Sequence, residues 1–310
     1  MTFDPQAAMI LKKLNALPAL ETLSVKEVRQ ILSKRLPSAV EIKKVSNVRN
    51  VLIEAPHAAI PSRLYWPFGE GPFPLVVFFH GGGFVGGDLD THDSLCRNLC
   101  AGAQSIVASV GYRLAPEHRF PAAADDCLFA LRWLQDRARE FDADGKRVAV
   151  CGDSAGGNLA AVTAIRSMDE GGPLLCAQLL IYPVLDRHDS GAPSYIENAH
   201  GCGVSKAAME WFWAHYLGDQ MQLIHPHAMP LRANDLSGLP PTLIVTVESD
   251  PLRDEGLAYA QRLRTAGVPI SHIHCDGMYH GFILMPGVID EAARVIEESC
   301  EWLRARFGEP

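Results

Sequence analysis

Short apolar runs that alternate with amphipathic segments constrain the fold of this chain more than any other feature of its sequence. Residues 75–80 and 177–182 are almost continuously apolar, whereas the apolar residues of segment 121–140 recur at helical spacing. Strands that are apolar on both faces are typical of a parallel sheet covered by helices on both sides. The runs that predict such strands are residues 75–80, 106–112, 147–151, 177–182, 242–248 and 270–275.

The region before these runs predicts two helices followed by two further strands. Residues 5–36 show helical spacing, and Ser24 and Glu27 form a capping box at the start of the second helix. Residues 40–67 alternate between apolar and polar positions around a turn, which is typical of two paired strands. The whole sheet is therefore expected to have about eight strands, within the usual range for an α/β protein.

One long segment, residues 186–239, interrupts the alternation of strands and helices. Its predicted helix at 205–217 carries four aromatic residues, Trp211, Phe212, Trp213 and Tyr216. Segments of this length without a strand are usually functional insertions. We predict that this insertion and the N-terminal helices form a helical cap over the C-terminal edge of the sheet. An ordinary helical surface layer is the alternative, because periodicity does not place a helix in space.

The charge balance bears on the partners of the chain. The formal net charge is −8, which gives no basic surface for nucleic acid and no attraction to an anionic membrane. The N-terminal residues lack a basic stretch followed by an apolar one, and no apolar run is long enough to span a bilayer. We expect a cytoplasmic protein with no nucleic-acid partner and no stable membrane association.

The cysteines and histidines predict neither a disulfide framework nor a metal site. None of the eight cysteines lies in a C-x-x-C pair, and a chain of 310 residues can build a core without disulfides. Cys96 and Cys100 lie one helical turn apart, and His225 and His227 form a close pair, but no third and fourth ligand appears at suitable spacing. We expect reduced thiols, no metal and no cofactor.

Residues 147–157 lead from an apolar strand into Gly-Asp-Ser-Ala-Gly and then into a helix. This succession of strand, sharp turn and helix is the setting of a nucleophilic serine, because Gly152 and Gly156 leave room for a strained backbone that exposes the hydroxyl group. The amides at the start of the following helix favour a developing negative charge. Ser154 is therefore the candidate nucleophile.

A glycine-rich loop, His-Gly-Gly-Gly-Phe starting at His80, follows the first of the apolar runs. It matches the loop that supplies oxyanion-binding amides in lipases and esterases. We assign this role to the amides of Gly82, Gly83 and Ala155, because a tetrahedral intermediate needs donors where its oxyanion forms. His80 and Gly81 are expected to support the loop.

A nucleophilic serine needs a base, and in the α/β-hydrolase fold the chain order is serine, acid, histidine. Of the twelve histidines, His280 is the best candidate base, because it follows the last apolar strand in a loop that contains glycines. Asp250 is the best candidate acid, because it follows a predicted strand and strand ends carry the chemistry of parallel sheets. Glu248 is a rival, whereas Asp254 and Glu255 are more simply explained as acids of the next helix's first turn.

Five motifs, in this order, resemble those of the hormone-sensitive-lipase group of α/β-hydrolases, also called bacterial family IV esterases, in its Gly-Asp-Ser-Ala-Gly subgroup. They are residues 80–84, 112–118, 152–158, 250–255 and 280–282. The resemblance implies Ser154, Asp250 and His280 as the catalytic triad and Gly82, Gly83 and Ala155 as the oxyanion hole. These are the residues to which the chemistry of the motifs also points.

With the predicted cap, the chain divides into four segments of two kinds. An α/β-hydrolase catalytic domain occupies 40–185 and 240–310, N-terminal cap helices occupy 1–39, and a cap insertion occupies 186–239. Ser249 and the small residues at 201–204 depart from the group's usual pattern, and we expect neither to touch the triad.

The expected activity is hydrolysis of short- to medium-chain carboxylic esters through an acyl-enzyme on Ser154, with small-molecule esters as substrates. The same triad also supports amidase or lactonase activity. A non-catalytic ligand receptor is an alternative of a different class, but receptors that resemble this group have lost the histidine that is present here as His280. A homodimer is expected through the last strand, because unpaired sheet edges are covered or used for association.

Overall fold

The computed structural model describes residues 2–34, 42–220 and 224–308, and within them eight strands form one sheet. The strands are β1 (Asn47–Glu54), β2 (Ala59–Trp66), β3 (Phe73–Phe79), β4 (Ile106–Val110), β5 (Ala143–Asp153), β6 (Ala177–Ile181), β7 (Thr242–Ser249) and β8 (Ile270–Tyr279). Their order is β1-β2-β4-β3-β5-β6-β7-β8, with β2 antiparallel to both neighbours and the other pairs parallel. The predicted α/β-hydrolase fold with an eight-stranded, mostly parallel sheet is confirmed.

The central strands are apolar because both of their faces are buried. Along β3, Val77 and Phe79 pack into one core cluster, whereas Val76 and Phe78 pack into a second cluster on the opposite face. Alternate residues of a strand point to opposite faces, so a continuous apolar run fills both clusters.

Helices supply the other half of each cluster. The helices of the described chain are α1 (Pro5–Leu14), α2 (Val25–Lys34), α3 (Asp93–Ala103), α4 (Ala122–Asp136), α5 (Ala155–Asp169), α6 (Ser194–Glu197), α7 (Lys206–Leu217), α8 (Arg253–Thr265) and α9 (Asp290–Phe307). Residues of α3 and α9 lie in the cluster of Val76, and residues of α4, α5 and α8 lie in the cluster of Val77. The prediction of helices on both faces of the sheet is therefore confirmed.

The N-terminal helices α1 and α2 pack against different faces of the sheet. The predicted capping box is formed, with the Ser24 amide donating to Glu27 Oε2 at 2.9 Å. Residues of α1 lie in the cluster of α9, whereas α2 buries Val28 in the cluster of α4 and α5. The end of the second predicted helix, at 35–36, and the start of the predicted strand region, at 40–41, lie outside the described residues.

The candidate site residues collect at the C-terminal edge of the sheet. Ser154 follows β5, Asp250 follows β7 and His280 follows β8. The carboxyl ends of parallel strands share one edge, so residues that are distant in sequence meet there. The described parts of segment 186–239 contain α6 and α7 but no strand, as expected.

The described residues also bear on membranes and thiols. Every helix among them is too short or too polar to traverse a lipid bilayer. All eight cysteines are free thiols, seven of them buried and Cys176 partly exposed.

Candidate active site

Ser154 occupies a strained turn between β5 and α5. Its backbone has φ 55° and ψ −120°, a conformation that residues other than glycine rarely adopt. The turn lies close against β3, because a β-carbon added at Gly156 would be 1.9 Å from the Phe79 carbonyl oxygen. Close backbone packing therefore holds the serine in this conformation, and Ser154 lines a pocket at the sheet edge.

His280 bridges Ser154 and Asp250. Its Nε2 lies 2.9 Å from Ser154 Oγ, and its Nδ1 lies 2.7 Å from Asp250 Oδ2. A carboxylate only accepts hydrogen bonds, so Nδ1 donates to Asp250 and the Nε2 lone pair faces the serine hydroxyl. All three side chains are buried, and Asp250 Oδ1 accepts from the Leu252 amide at 2.8 Å. The structure brings together the serine, histidine and acid that the sequence singled out.

The other acidic residues at this edge have backbone partners. Glu248 accepts from the amide of Gly277 at 2.7 Å, and Asp254 accepts from the amide of Ser194 at 2.8 Å. Glu255 accepts from two backbone amides after β6, and its burial raises the pKa of the carboxyl to about 8. These acids therefore hold the backbone of the sheet edge rather than the histidine.

The glycine loop lines the same pocket as the serine. A cavity of about 70 Å³ is bordered by Gly82 and Gly83 as well as by Ser154 and His280. Within the described residues, the amides of Gly82, Gly83 and Ala155 donate to no protein acceptor. Free amides beside a serine hydroxyl can bind an oxygen that gains negative charge.

Apolar side chains from two parts of the chain also line this pocket. These roof residues are Leu20 and Leu32 from the N-terminal segment and Val204, Met209 and Phe212 from segment 186–239.

Of the four aromatic residues that the sequence places on α7, Phe212 lines the pocket and the other three do not. Trp213 and Tyr216 are fully buried beside Phe84, with the Tyr216 and Phe84 rings stacked at 3.9 Å. Trp211 packs on His215 instead, with their ring centroids 3.9 Å apart. The helix is covered on more than one side, so its aromatic content did not identify the pocket-facing side.

His80 contacts the backbone of the glycine loop and Tyr112. Its Nδ1 lies 2.8 Å from the Gly81 carbonyl oxygen, and its own carbonyl accepts from Tyr112 Oη at 2.7 Å. The His80 and Tyr112 rings stack at 4.3 Å. Burial lowers the pKa of His80 to about 4, so the ring is neutral at physiological pH. The His80 side chain therefore contacts both the loop and the segment after β4.

Asp153 and His92 also lie against the loop, and neither was predicted from the sequence. Asp153 Oδ1 lies 2.9 Å from the Gly81 amide and 3.1 Å from His92 Nε2. Burial on its own raises the pKa of Asp153, but the nearby His92 ring and the Gly81 amide outweigh burial and lower the pKa. A polar residue at the end of an apolar strand, directly before Ser154, was the available signal for Asp153. Nothing in the sequence around His92 marks it.

Segment 198–204 contacts the triad directly, which corrects the expectation that residues 201–204 lie apart from it. The His280 amide donates to the Cys202 carbonyl at 3.1 Å, and Asn198 Nδ2 donates to the Asp250 carbonyl at 3.1 Å. A β-carbon at Gly203 would lie 2.5 Å from the His280 carbonyl oxygen. The small residues therefore allow this segment to approach the histidine backbone closely.

The residues considered for a metal site are not assembled into one. The His225 and His227 rings lie 4.7 Å apart, and Cys96 and Cys100 are buried. Among the described residues, no group of three His, Cys, Asp or Glu side chains is placed to hold a metal ion.

A serine, a histidine and an acid joined by hydrogen bonds at the edge of a parallel sheet, beside free amides, are the arrangement of the serine hydrolases. Residues 76–284 match the model of a protein family that is described as having the α/β-hydrolase fold. The chain belongs to this family, and its predicted membership of the hormone-sensitive-lipase group is confirmed.

Named relatives and a solved structure are similar over most of the chain. Esterase LipI of Mycobacterium tuberculosis is 41% identical over 96% of this chain and 93% of its own length. Carboxylesterase NlhH of the same organism is 45% identical over 76% of this chain and 74% of its own length. A hyperthermophilic esterase from the archaeon Pyrobaculum calidifontis is 36% identical and superposes with a TM-score of 0.92, covering 98% of this chain and 99% of that one.

The contact between Gly203 and the histidine backbone generates a prediction. Gly203→Ala should slow the labelling of Ser154 by a fluorophosphonate probe by about tenfold or more, because the new methyl group displaces the His280 backbone. Gly201→Ala is the matched control: both glycines have positive φ, 84° and 78°, but a β-carbon at Gly201 meets nothing nearer than 3.8 Å. Labelling rates that fall equally in both variants would show that backbone strain, and not the contact with His280, is responsible.

Proposed function

We propose that this chain is a serine carboxylesterase in which Ser154 is the nucleophile, His280 the general base and Asp250 the acid that orients the histidine. The observation that carries the proposal is the hydrogen-bonded line from Asp250 through His280 to Ser154, with distances of 2.7 and 2.9 Å. Relatives named esterase and carboxylesterase support the same activity on small-molecule esters.

The first half of the reaction forms an acyl-enzyme. His280 Nε2 takes the Ser154 proton as Oγ attacks the ester carbonyl carbon and the carbonyl electron pair moves to its oxygen. The amides of Gly82, Gly83 and Ala155 donate hydrogen bonds to this oxyanion. The oxyanion then collapses, the imidazolium gives its proton to the leaving alcohol, and the acyl group stays on the serine.

The second half releases the acid. His280 takes a proton from water, the resulting hydroxide attacks the acyl carbon, and the same amides hold the second oxyanion. Collapse of this intermediate returns the proton to Ser154 Oγ.

In this proposal His80 and Gly81 support the glycine loop. The side chains and amides supply the nucleophile, the base and the oxyanion donors, so we propose that the reaction uses no metal and no cofactor.

Ser154→Ala and His280→Ala should each lower kcat by about 10⁴- to 10⁶-fold, because the serine and histidine act as one unit. Steady-state kinetics with a p-nitrophenyl ester measure the loss, and circular-dichroism melting checks that the fold is kept. Ser237→Ala, at an exposed serine, should hydrolyse the ester at the wild-type rate. A Ser154→Ala enzyme that kept a tenth of the activity would rule out the assignment of the nucleophile.

We propose further that the roof residues belong to a cap made of segments 1–39 and 186–239, with 40–185 and 240–310 as the catalytic domain. The pocket beside Ser154 is small, about 70 Å³, and a second cavity of about 420 Å³ shares Leu20, Gly203 and Val204 with it. This space suits a short to medium acyl chain. Longer chains would leave carbons in water or displace the roof residues.

Esters of increasing acyl length should therefore show a maximum in kcat/KM. Each buried methylene contributes about 0.8 kcal/mol until the cavity is full, so p-nitrophenyl esters from acetate to palmitate, below their micelle thresholds, should peak at short to medium chains. Phe212→Ala should move the peak to longer chains by enlarging the pocket. A rise that continued to palmitate in the wild type would contradict the roofed pocket.

For location and assembly, we propose a cytoplasmic homodimer with no nucleic-acid partner and no stable membrane association. The net charge of −8 and the free thiols support this environment. Within the described residues, β8 is the last strand of the sheet and β7 is its only partner strand, and an edge strand of this kind can pair with a second copy. Light scattering should give twice the mass of the chain at micromolar concentration, and a monomer over a wide concentration range would contradict the dimer.

A further inference from the structure

One arginine of α2 is bonded to the two segments that surround the glycine loop. Arg29 Nε donates to the Val85 carbonyl at 2.8 Å, and one of its Nη atoms donates to the Ala115 carbonyl at 3.0 Å. The two Nη atoms also donate to the two carboxylate oxygens of Glu117, at 2.8 and 2.6 Å. A single guanidinium therefore joins α2, the end of the glycine loop and the segment after β4.

The carbonyl at Val85 belongs to the turn that shapes the loop. The amides of Val85 and Gly86 both donate to the Gly82 carbonyl, at 3.2 and 2.9 Å. The Ala115 amide donates to the Phe84 carbonyl at 2.9 Å. Arg29 thus holds the outer side of a turn whose inner side carries the amides of Gly82 and Gly83.

The next turn of α2 contacts the same loop. A β-carbon at Gly86 would lie 2.6 Å from Leu32 Cδ1, and Leu32 is one of the roof residues. Arg29 and Leu32 are three residues apart, so they lie on neighbouring positions of one helix face. The helix therefore contributes an apolar contact to the pocket and a polar contact to the loop from a single face.

The ion pair alone does not account for this arrangement. The Arg29 and Glu117 side chains are 32% and 55% exposed, and exposed ion pairs contribute little to stability. The hydrogen bonds from Arg29 hold the Glu117 carboxylate in its charged form, which lowers its pKa to about 2. The carbonyls of Val85 and Ala115 lie in buried residues, and the planar fork of a guanidinium reaches them and the carboxylate at once, which a lysine does not do.

We propose that Arg29 is a positioning residue for the oxyanion hole: it fastens α2 to the glycine loop and so fixes the Gly82 and Gly83 amides. This inference rests on the proposed ester hydrolysis, because it assigns to those amides the binding of the oxyanion. Arg29 does not contact the reacting atoms. Its effect on the reaction passes through the Val85 carbonyl and the turn at Gly82.

Arg29→Met tests the proposal, and Arg132→Met is its matched control. Arg132 of α4 also pairs with a glutamate of another segment, Glu170, at 2.9 Å and similar exposure, 37% for each side chain, but among the described residues its hydrogen bond goes to Glu170 and not to the loop. Kinetics with a short-chain p-nitrophenyl ester give kcat and KM. The inhibition constant of a trifluoromethyl ketone, whose adduct with Ser154 places an oxyanion among the loop amides, reports on the oxyanion hole.

Arg29→Met should lower kcat by about tenfold to a hundredfold, the effect of a displacement near 1 Å at a reacting centre. It should raise the inhibition constant of the trifluoromethyl ketone by the same factor and change KM little. Arg29→Lys, which keeps the charge but not the fork, should lie between the wild type and Arg29→Met. Glu117→Gln keeps both carbonyl contacts and should lower kcat less than Arg29→Lys does. All rates are measured at least 15 °C below the melting temperature of each variant, so that each variant is folded during the assay.

Several results would overturn the proposal. An Arg29→Met enzyme with unchanged kcat and raised KM would show that α2 acts through substrate contacts alone. A fall in kcat without a matching loss of trifluoromethyl ketone affinity, or an equal fall in Arg132→Met, would show a general structural effect. Failure of the proposed function is distinguishable, because a wild-type enzyme that neither hydrolysed the ester nor bound the ketone would fail before any variant was compared.

Discussion

The close approach of the turn at Ser154 to the backbone of β3 is the constraint on which the rest of the site depends. Ser154 has a positive φ of 55°, and the absence of a side chain at Gly156 lets the turn lie against Phe79. Strain of this kind persists only where the surrounding structure holds it. Here β3, β5 and β6 hold it, since the Ser154 amide donates to the Ile181 carbonyl at 2.9 Å. The sheet thus fixes the hydroxyl, and the other groups of the site are placed relative to it.

Two segments that are not strands complete the site around this fixed point. The glycine loop is held from below by Asp153 and from outside by Arg29, through the Gly81 amide and the Val85 carbonyl. Segment 198–204 holds the backbone of the catalytic histidine candidate, because the Cys202 carbonyl accepts a hydrogen bond from the His280 amide. Segments that line the pocket are therefore hydrogen-bonded to the backbone of the glycine loop and of His280. Substitutions in these segments are expected to change kcat as well as the range of substrates.

Whether a feature could be predicted from the sequence depends on how far apart its residues are in the chain. The apolar runs of β3 to β8, the capping box of Ser24 and the strand-turn-helix at Ser154 depend on residues that are close in the chain, and each was predicted. Asp250 and His280 were found because parallel strands end at one edge. The contacts of Arg29 and Cys202 depend on the path of the backbone between distant segments. Every residue has a backbone carbonyl, so the sequence does not show which carbonyl accepts a hydrogen bond. Which side of α7 faces the pocket could not be predicted from its sequence, because its aromatic residues pack on more than one side of the helix.

Acid-quench mass spectrometry tests most directly whether Ser154 Oγ carries the acyl group during turnover. The wild-type enzyme is mixed with excess p-nitrophenyl acetate, quenched within milliseconds and digested. We expect that the peptide containing Ser154 gains the mass of one acetyl group, that the gain disappears as substrate is exhausted, and that His280→Ala abolishes it. Turnover without any acylated peptide, or an acetyl group that follows the same time course on another residue, would contradict this expectation.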